Sequence, residues 1–102
     1  MAFLLRVLEE DGTIVEEVVA DKNFNPVRTG FHRTDFPMMG TLDPYGDTSF
    51  NYLQCELLEG EVQKATTRLE DMGVSSDFVV ELVRLCRVSQ AKPQRRFMFI
   101  GD

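Results

Sequence analysis

The 102-residue sequence contains no tryptophan, only one histidine and only two cysteines. A lone histidine forms a metal site only where thiols or carboxylates converge on it, and the sequence has neither an HxxxH nor a CxxC spacing. A glycine-rich phosphate loop and a GxSxG nucleophile motif are also missing. No apolar run approaches the roughly 20 residues that span a bilayer. The sequence therefore predicts no metal, no cofactor, no membrane partner and no enzyme.

The N-terminus is apolar but differs from a signal peptide. Arg6 interrupts residues 1–8, and acidic residues follow at positions 9–11. A signal peptide would need a basic start and a longer apolar stretch, so we expect a cytoplasmic protein. Cys55 and Cys86 each fall inside a predicted helix, whereas a disulfide framework would use more cysteines in loops. Both are interpreted as reduced, buried thiols.

The size and composition predict one domain that spans residues 1–102. A chain of this length leaves no room for a second core. The hydrophobic fraction is 43%, which is ordinary for a globular protein, and eight phenylalanines supply large apolar surfaces for a packed core.

Charge is segregated along the sequence, within a net charge of −6. Residues 1–21 carry six acids and one base, and residues 43–81 carry nine acids and two bases. Residues 82–101 carry five bases and no acid. The acidic balance makes nucleic acid an improbable partner. Glu56, Glu59, Glu61, Glu70 and Asp71 are predicted to form a solvated helix face, or alternatively a negative surface for a basic protein partner.

The N-terminal part predicts a β-hairpin. Residues 3–9 and 13–20 are rich in β-branched and aliphatic residues, which is typical of strands. Asp11-Gly12 between them predicts a two-residue type I′ turn. Residues 21–42 show no clean period, and a short strand is considered at 37–41.

Two helices and a final strand are predicted for the rest. Asp43-Pro44-Tyr45-Gly46 fits a type I turn, with Asp47, Thr48 or Ser49 as the cap of a helix over residues 50–72. Gly60 is expected to mark a bend in that helix or a close approach, and Gly73 to end it. Ser75 or Ser76 begins a second helix, which makes an antiparallel pair with the first. Pro93 ends that region before a strand at residues 96–100.

The first and last strands are apolar on both faces. Phe97 and Phe99 alternate with Met98 and Ile100, and residues 3–8 behave similarly. We therefore expect an α+β fold in which two helices pack on one face of a small, mainly antiparallel sheet. The other face must be covered by residues 21–42 or by a second copy of the chain.

Six residues are candidates for a binding site. Acidic side chains in a loop can bind a hard cation, but turn formation and helix capping also explain the Asp43 and Asp47 positions. A catalytic role for the only histidine needs a partner that orients it, which the sequence does not supply. The candidates are Asp43, Tyr45, Asp47, Asn51, His32 and Asp102.

The run Asp43-Pro44-Tyr45-Gly46-Asp47-Thr48, continued by Ser49-Phe50-Asn51, resembles a stretch found in a family of short uncharacterised bacterial proteins. Those chains are similar in length and end in an aromatic strand that closes with Gly-Asp, here Phe99 to Asp102. The resemblance covers about half of the chain and implies no reaction. It implies that the loop and the terminal Gly-Asp belong to one local structure. By class alone, the chain is also similar to immunity proteins that neutralise toxins.

Three functions follow from these observations. The first is a non-enzymatic protein-binding module that acts through an acidic surface, immunity-like or accessory. The second is a small enzyme or ligand-binding protein with a site built from residues 32–47 and the C-terminus. The third is a homodimer of structural role.

Overall fold

The computed structural model describes residues 3–26 and 30–101. The α+β class is confirmed, with an N-terminal hairpin, a C-terminal strand and helices packed on an antiparallel sheet. A short 3₁₀ helix, Met39–Thr41, precedes the third strand. The elements are β1 (Leu4–Leu8), β2 (Ile14–Val19), β3 (Asp47–Phe50), α1 (Tyr52–Lys64), α2 (Thr66–Asp71), α3 (Ser76–Gln90) and β4 (Arg96–Ile100).

The hairpin between β1 and β2 is confirmed, but its turn type is not the predicted one. The Glu9 N–H donates to the Thr13 carbonyl (2.8 Å), so three residues form the loop. Gly12 has a φ of 90°, and no described non-glycine residue has a positive φ, which excludes a type I′ turn at Asp11. A three-residue loop with glycine in the left-handed position is the next common connection.

The sheet has the strand order β2-β1-β4-β3, and all neighbours are antiparallel. Side chains alternate between its faces. Leu5 pairs with Phe99 and Val7 pairs with Phe97, and these four side chains are fully buried beneath the helices. The opposite face, which we call the open face, carries residues that do not belong to this core.

The first helix begins later than its apolar pattern predicts. Phe50 ends β3 instead of opening the helix, and its register partner is Phe97. The cap is Asn51, not one of the three residues before Phe50. Its side chain accepts the Gln54 N–H (2.9 Å), while the Gln54 side chain accepts the Asn51 N–H (2.9 Å). This reciprocal capping box fixes the start of α1.

The predicted single helix is two helices, and the break lies at Ala65, not at Gly60. The Thr66 hydroxyl donates to the Val62 carbonyl (3.0 Å) at the break, a contact that often bends helices. The end at Gly73 is confirmed by its φ of 92°. The Ser75 side chain caps α3 by accepting the Phe78 N–H (3.1 Å), as predicted.

The described part of residues 21–42 packs against the helices and leaves the open face uncovered. The Phe31 and Phe36 rings contact each other edge to face, and the Arg68 guanidinium lies 4.2 Å above the Phe31 ring. The predicted strand at residues 37–41 is wrong, since the 3₁₀ helix occupies this place. The buried apolar residues of the segment all join the core beneath the helices: Phe24, Phe31, Phe36, Met39 and Leu42.

Candidate binding surface

The Asp43 carboxylate is used by the turn that it begins. Its Oδ1 accepts the Tyr45 N–H (2.9 Å). The Gly46 N–H donates to the Asp43 carbonyl (3.3 Å), which confirms the predicted turn. The carboxylate therefore binds the backbone of its own turn, which weakens the hypothesis of a small-molecule site at this loop.

The turn and the C-terminal Gly101 form one local structure, as the sequence resemblance implied. The Gly101 N–H donates to the Gly46 carbonyl (2.7 Å). A Cβ added at Gly101 would lie 2.6 Å from the Pro44 carbonyl carbon. The contact needs a residue without a side chain, so this glycine has a packing reason. Asp102, the other half of the Gly-Asp pair, lies outside the described residues.

Among the described residues, no side-chain hydrogen bond or ion pair joins the other predicted binding residues to one another. Asn51 is committed to the capping box of α1. Asp47 is exposed at the start of β3, and the Tyr45 side chain is 77% exposed on the turn. His32 is exposed, and its carbonyl accepts the Phe36 N–H (2.8 Å). Across residues 3–26 and 30–101, no ion pair joins His32 to a carboxylate.

The two cysteines are buried free thiols, as the sequence predicted. Burial raises the pKa of Cys55 to about 11. Burial also raises the pKa of Cys86, and the neighbouring Cys55 and Glu59 add to the shift. A nucleophilic cysteine needs the thiolate form, so this environment suppresses thiol chemistry at neutral pH. Within the described chain, no three His, Cys, Asp or Glu side chains are placed to hold a metal ion.

The fold pairs the basic C-terminal segment with the acidic segments. Two arginines of α3, Arg95 just before β4 and Arg6 of β1 contact glutamates on β2, α1, α3 and the hairpin loop. The Arg84 hydrogen bond lowers the pKa of Glu81. The segregation along the sequence is therefore largely lost on the surface, although the net charge stays at −6. The ion pairs are Arg84–Glu16 (3.0 Å), Arg84–Glu81, Arg87–Glu59 (3.1 Å), Arg95–Glu9 (2.8 Å) and Arg6–Glu17 (2.6 Å).

An apolar groove of about 540 Å³ lies between the start of α2 and the outward side of α3. Val80 is 68% exposed in it, although it is a large aliphatic residue. The groove is lined by Thr66, Val79, Val80, Val83, Arg84 and Arg87. We call this set the α2–α3 groove.

The helical geometry of α3 explains why the groove is apolar. Phe78, Leu82 and Leu85 point into the core, and successive residues advance by about 100° around the helix. Val79 and Val80 are adjacent, so both cannot face the core, and Val80 is turned outward. Val79 is buried and Val83 is partly buried against the core, so both widen the core-facing side of α3, whereas Val80 lies outside it. The adjacent pair of valines was the signal that could have identified the groove.

The two ends of the groove differ in charge. The arginines are already paired with glutamates, so that end is close to neutral. Asp77 lies one turn before Val80 at the other end, on the same side of α3. The Glu70 carboxylate accepts the Ser76 hydroxyl (2.6 Å), next to Asp77 at the start of α3. The α2–α3 groove is therefore an apolar surface with an acidic margin.

No helix of the described residues has the length and apolar character to cross a membrane. No protein-family model, curated protein or solved structure matches the chain.

Proposed function

We propose that this protein is a non-enzymatic protein-binding module, and that the α2–α3 groove holds an apolar segment of the partner flanked by lysine or arginine. The observation that carries the proposal is the apolar groove beside α3, in which Val80 is 68% exposed. Apolar side chains at the centre of a surface and charges at its margin are the usual arrangement of a protein interface. The groove offers this arrangement, with Val80 exposed in it, the glutamate-paired Arg84 and Arg87 in its lining, and Asp77 one turn before Val80 on α3.

The charge of the chain supports a basic partner. Each ion pair uses one acid and one base, so the pairs leave the surplus of acids unchanged. The net charge remains −6. An acidic surface speeds the encounter with a basic segment and disfavours acidic competitors. The acidic surface expected from the sequence thus steers the partner, while apolar contacts in the groove supply most of the binding energy. An immunity-like or accessory role in the cytoplasm, where thiols stay reduced, fits a module of this kind.

The proposal is tested with a displayed library of random peptides selected on the immobilised protein. The selected peptides should share large apolar residues next to lysine or arginine. Binding of one synthetic winner is then measured by fluorescence anisotropy. We expect its affinity to fall several-fold from about 50 mM to about 500 mM salt, because the charged margin is screened.

Two matched valine variants locate the binding site. Val80→Asp puts a charge into the apolar groove and should weaken peptide binding at least ~10-fold. Val19→Asp is the control, because Val19 is 70% exposed on β2 and lies outside the groove. It should leave the affinity within about twofold. A library that yields no such peptides, or a peptide that binds Val80→Asp as well as the wild type, would show that the groove is not a protein-binding site.

A further inference from the structure

The open face of the sheet carries a second apolar surface, separate from the α2–α3 groove. None of its apolar residues belongs to the core that joins the sheet to the helices. Val19 is 70% exposed and Ile14 is 49% exposed. The apolar residues on this side of the sheet are Leu4, Ile14, Val19, Met98 and Ile100, together with Leu8, which is already buried at 7% exposure.

The strand register arranges the open face in rows. In the first row, Leu4 lies between Val19 and Ile100, and Asp47 pairs with Ile100 at the far edge. In the last row, Leu8 lies between Ile14 and Arg96. The two rows are four residue steps apart along β1, which is a distance of roughly 14 Å.

The charges of the open face are balanced. Arg6 and Glu17 contact each other in the middle row (2.6 Å). Asp47 and Arg96 lie in the two end rows, and neither has an ion-pair partner within the part of the chain that the structure describes. Two acids and two bases make this face neutral, whereas the whole chain carries a net charge of −6. Because this face is neutral, two copies approach through it with less long-range repulsion than through the acidic remainder of the surface.

We propose that a second copy of this chain covers the open face. The two copies are related by a two-fold axis that lies in the plane between the two sheets, runs along the middle row and is perpendicular to the strands. This rotation places each end row over the other end row of the second copy, and the middle row over itself, so that the neutral Arg6–Glu17 pairs of the two copies face each other. Leu8 of the second copy then lies over Leu4, and its Ile14 lies over Val19. Its Arg96 comes to lie over Ile100, one strand away from Asp47.

The two unpaired charges are therefore complementary in the dimer. Stacked sheets pack about 10 Å apart with their strands within about 30° of each other, and a long arginine side chain can reach an aspartate on the facing sheet. A two-fold interface contains each contact twice, so two Asp47–Arg96 pairs form. Between these two ion pairs, the apolar residues of the facing sheets bury one another. Strands that are apolar on both faces require this burial.

The face is small, which sets the expected affinity. Four strands at about 4.8 Å spacing give an area of roughly 20 by 15 Å, less than a standard interface of about 800 Å² per partner. We expect a dissociation constant in the micromolar range, and the measurement must extend to concentrations of about 500 µM.

Sedimentation equilibrium of the full chain tests the proposal. The wild-type mass should rise from 11.7 kDa toward twice that value with concentration. Asp47→Arg and Arg96→Asp each create two like-charge contacts in their own dimer, and each should weaken association at least ~10-fold. An equimolar mixture of the two variants should regain wild-type association within about threefold, because both contacts of the mixed dimer become attractive.

Two controls make the outcome decisive. Val80→Asp should leave the association unchanged, because Val80 lies on α3, and Val19→Asp should weaken it. Far-ultraviolet circular dichroism and thermal unfolding of each variant show whether the fold is intact. Because all four substituted positions are exposed, we expect each variant to fold.

Wild-type protein that stays monomeric throughout would overturn the proposal. So would charge variants that associate normally, as an edge-to-edge dimer would allow, or a mixture that regains nothing. None of these results depends on whether the α2–α3 groove binds a peptide.

Discussion

The environment of Glu61 departs from what its sequence neighbours suggest. It belongs to the acidic run that the sequence assigns to a solvated helix face, but it is only 8% exposed. Its two carboxylate oxygens accept the backbone N–H groups of Met38 and Met39, each at 2.9 Å. A single buried side chain thus fixes the 3₁₀ helix against α1. Sequence periodicity places Glu61 at the edge of the helix but cannot identify partners that lie 22 and 23 residues away.

Replacing Glu61 by glutamine should destabilise the protein. The amide NH₂ would face one of the two backbone N–H groups and leave a buried donor without an acceptor. We expect the free energy of unfolding in urea to fall by about 1–3 kcal/mol. The control Glu56→Gln, on the exposed side of α1, should change it by less than about 0.5 kcal/mol. Equal effects of the two substitutions would refute this role for Glu61.

The two thiols should be protected from alkylation in the native protein. Reaction with iodoacetamide needs a thiolate, and burial raises the pKa values of Cys55 and Cys86 above the ordinary value of about 8.5. The unfolded chain loses these protons first, so stability should decline as pH rises above about 8.5. Mass spectrometry at pH 8 should find the native protein unlabelled and the urea-unfolded protein labelled at both positions. Rapid labelling of either native thiol would contradict the buried environment.

At the scale of the elements, the sequence correctly predicts the helices and strands whose ends are marked by local residue patterns. The hairpin, α3 with its Ser75 cap, the Gly73 end and β4 all carry turn, capping or alternation signals, and all are confirmed. The first helix is different. Phe50 has the right spacing for a helical face, but pairing with Phe97 places it in a strand. That choice depends on a contact between distant parts of the chain, and tertiary pairing overrides local spacing.

Two glycines should respond in opposite ways to a methyl group. Gly60 lies inside α1, and a Cβ there would meet nothing within 4 Å. Gly60→Ala should therefore raise the free energy of unfolding by about 0.5–1 kcal/mol through helix propensity. Gly101→Ala should lower it by about 1–3 kcal/mol, because the methyl group would collide with the backbone of the 43–46 turn. Chemical denaturation checks both, and a destabilising Gly60→Ala would indicate a close approach at α1.

At the scale of the whole molecule, the charge pattern is the feature that the sequence predicts least well. The basic segment at residues 82–101 is separate from the acidic segments along the sequence, but in the fold Arg84, Arg87 and Arg95 contact glutamates of β2, α1 and the hairpin loop. The sequence does predict that the sheet needs a cover on both faces. The structure places the described part of residues 21–42 along the helices, so one face stays open.

The two proposed surfaces lie on opposite sides of the molecule. The α2–α3 groove is on the outward side of the helical layer, and the open face is on the far side of the sheet. A dimer that closes the open face would therefore leave both grooves accessible. The monomer and the dimer should bind a selected peptide with the same affinity for each chain.

The most direct test of the central claim is a nuclear magnetic resonance titration of isotope-labelled protein with a peptide selected on it. Binding in the α2–α3 groove predicts that the largest chemical-shift changes occur at Thr66, Val79, Val80 and Val83, with small changes along β1 and β2. The changes should vanish for Val80→Asp at the same peptide concentration and persist for Val19→Asp. Shift changes confined to the strands or to the 43–47 loop, with the groove signals unmoved, would contradict the account.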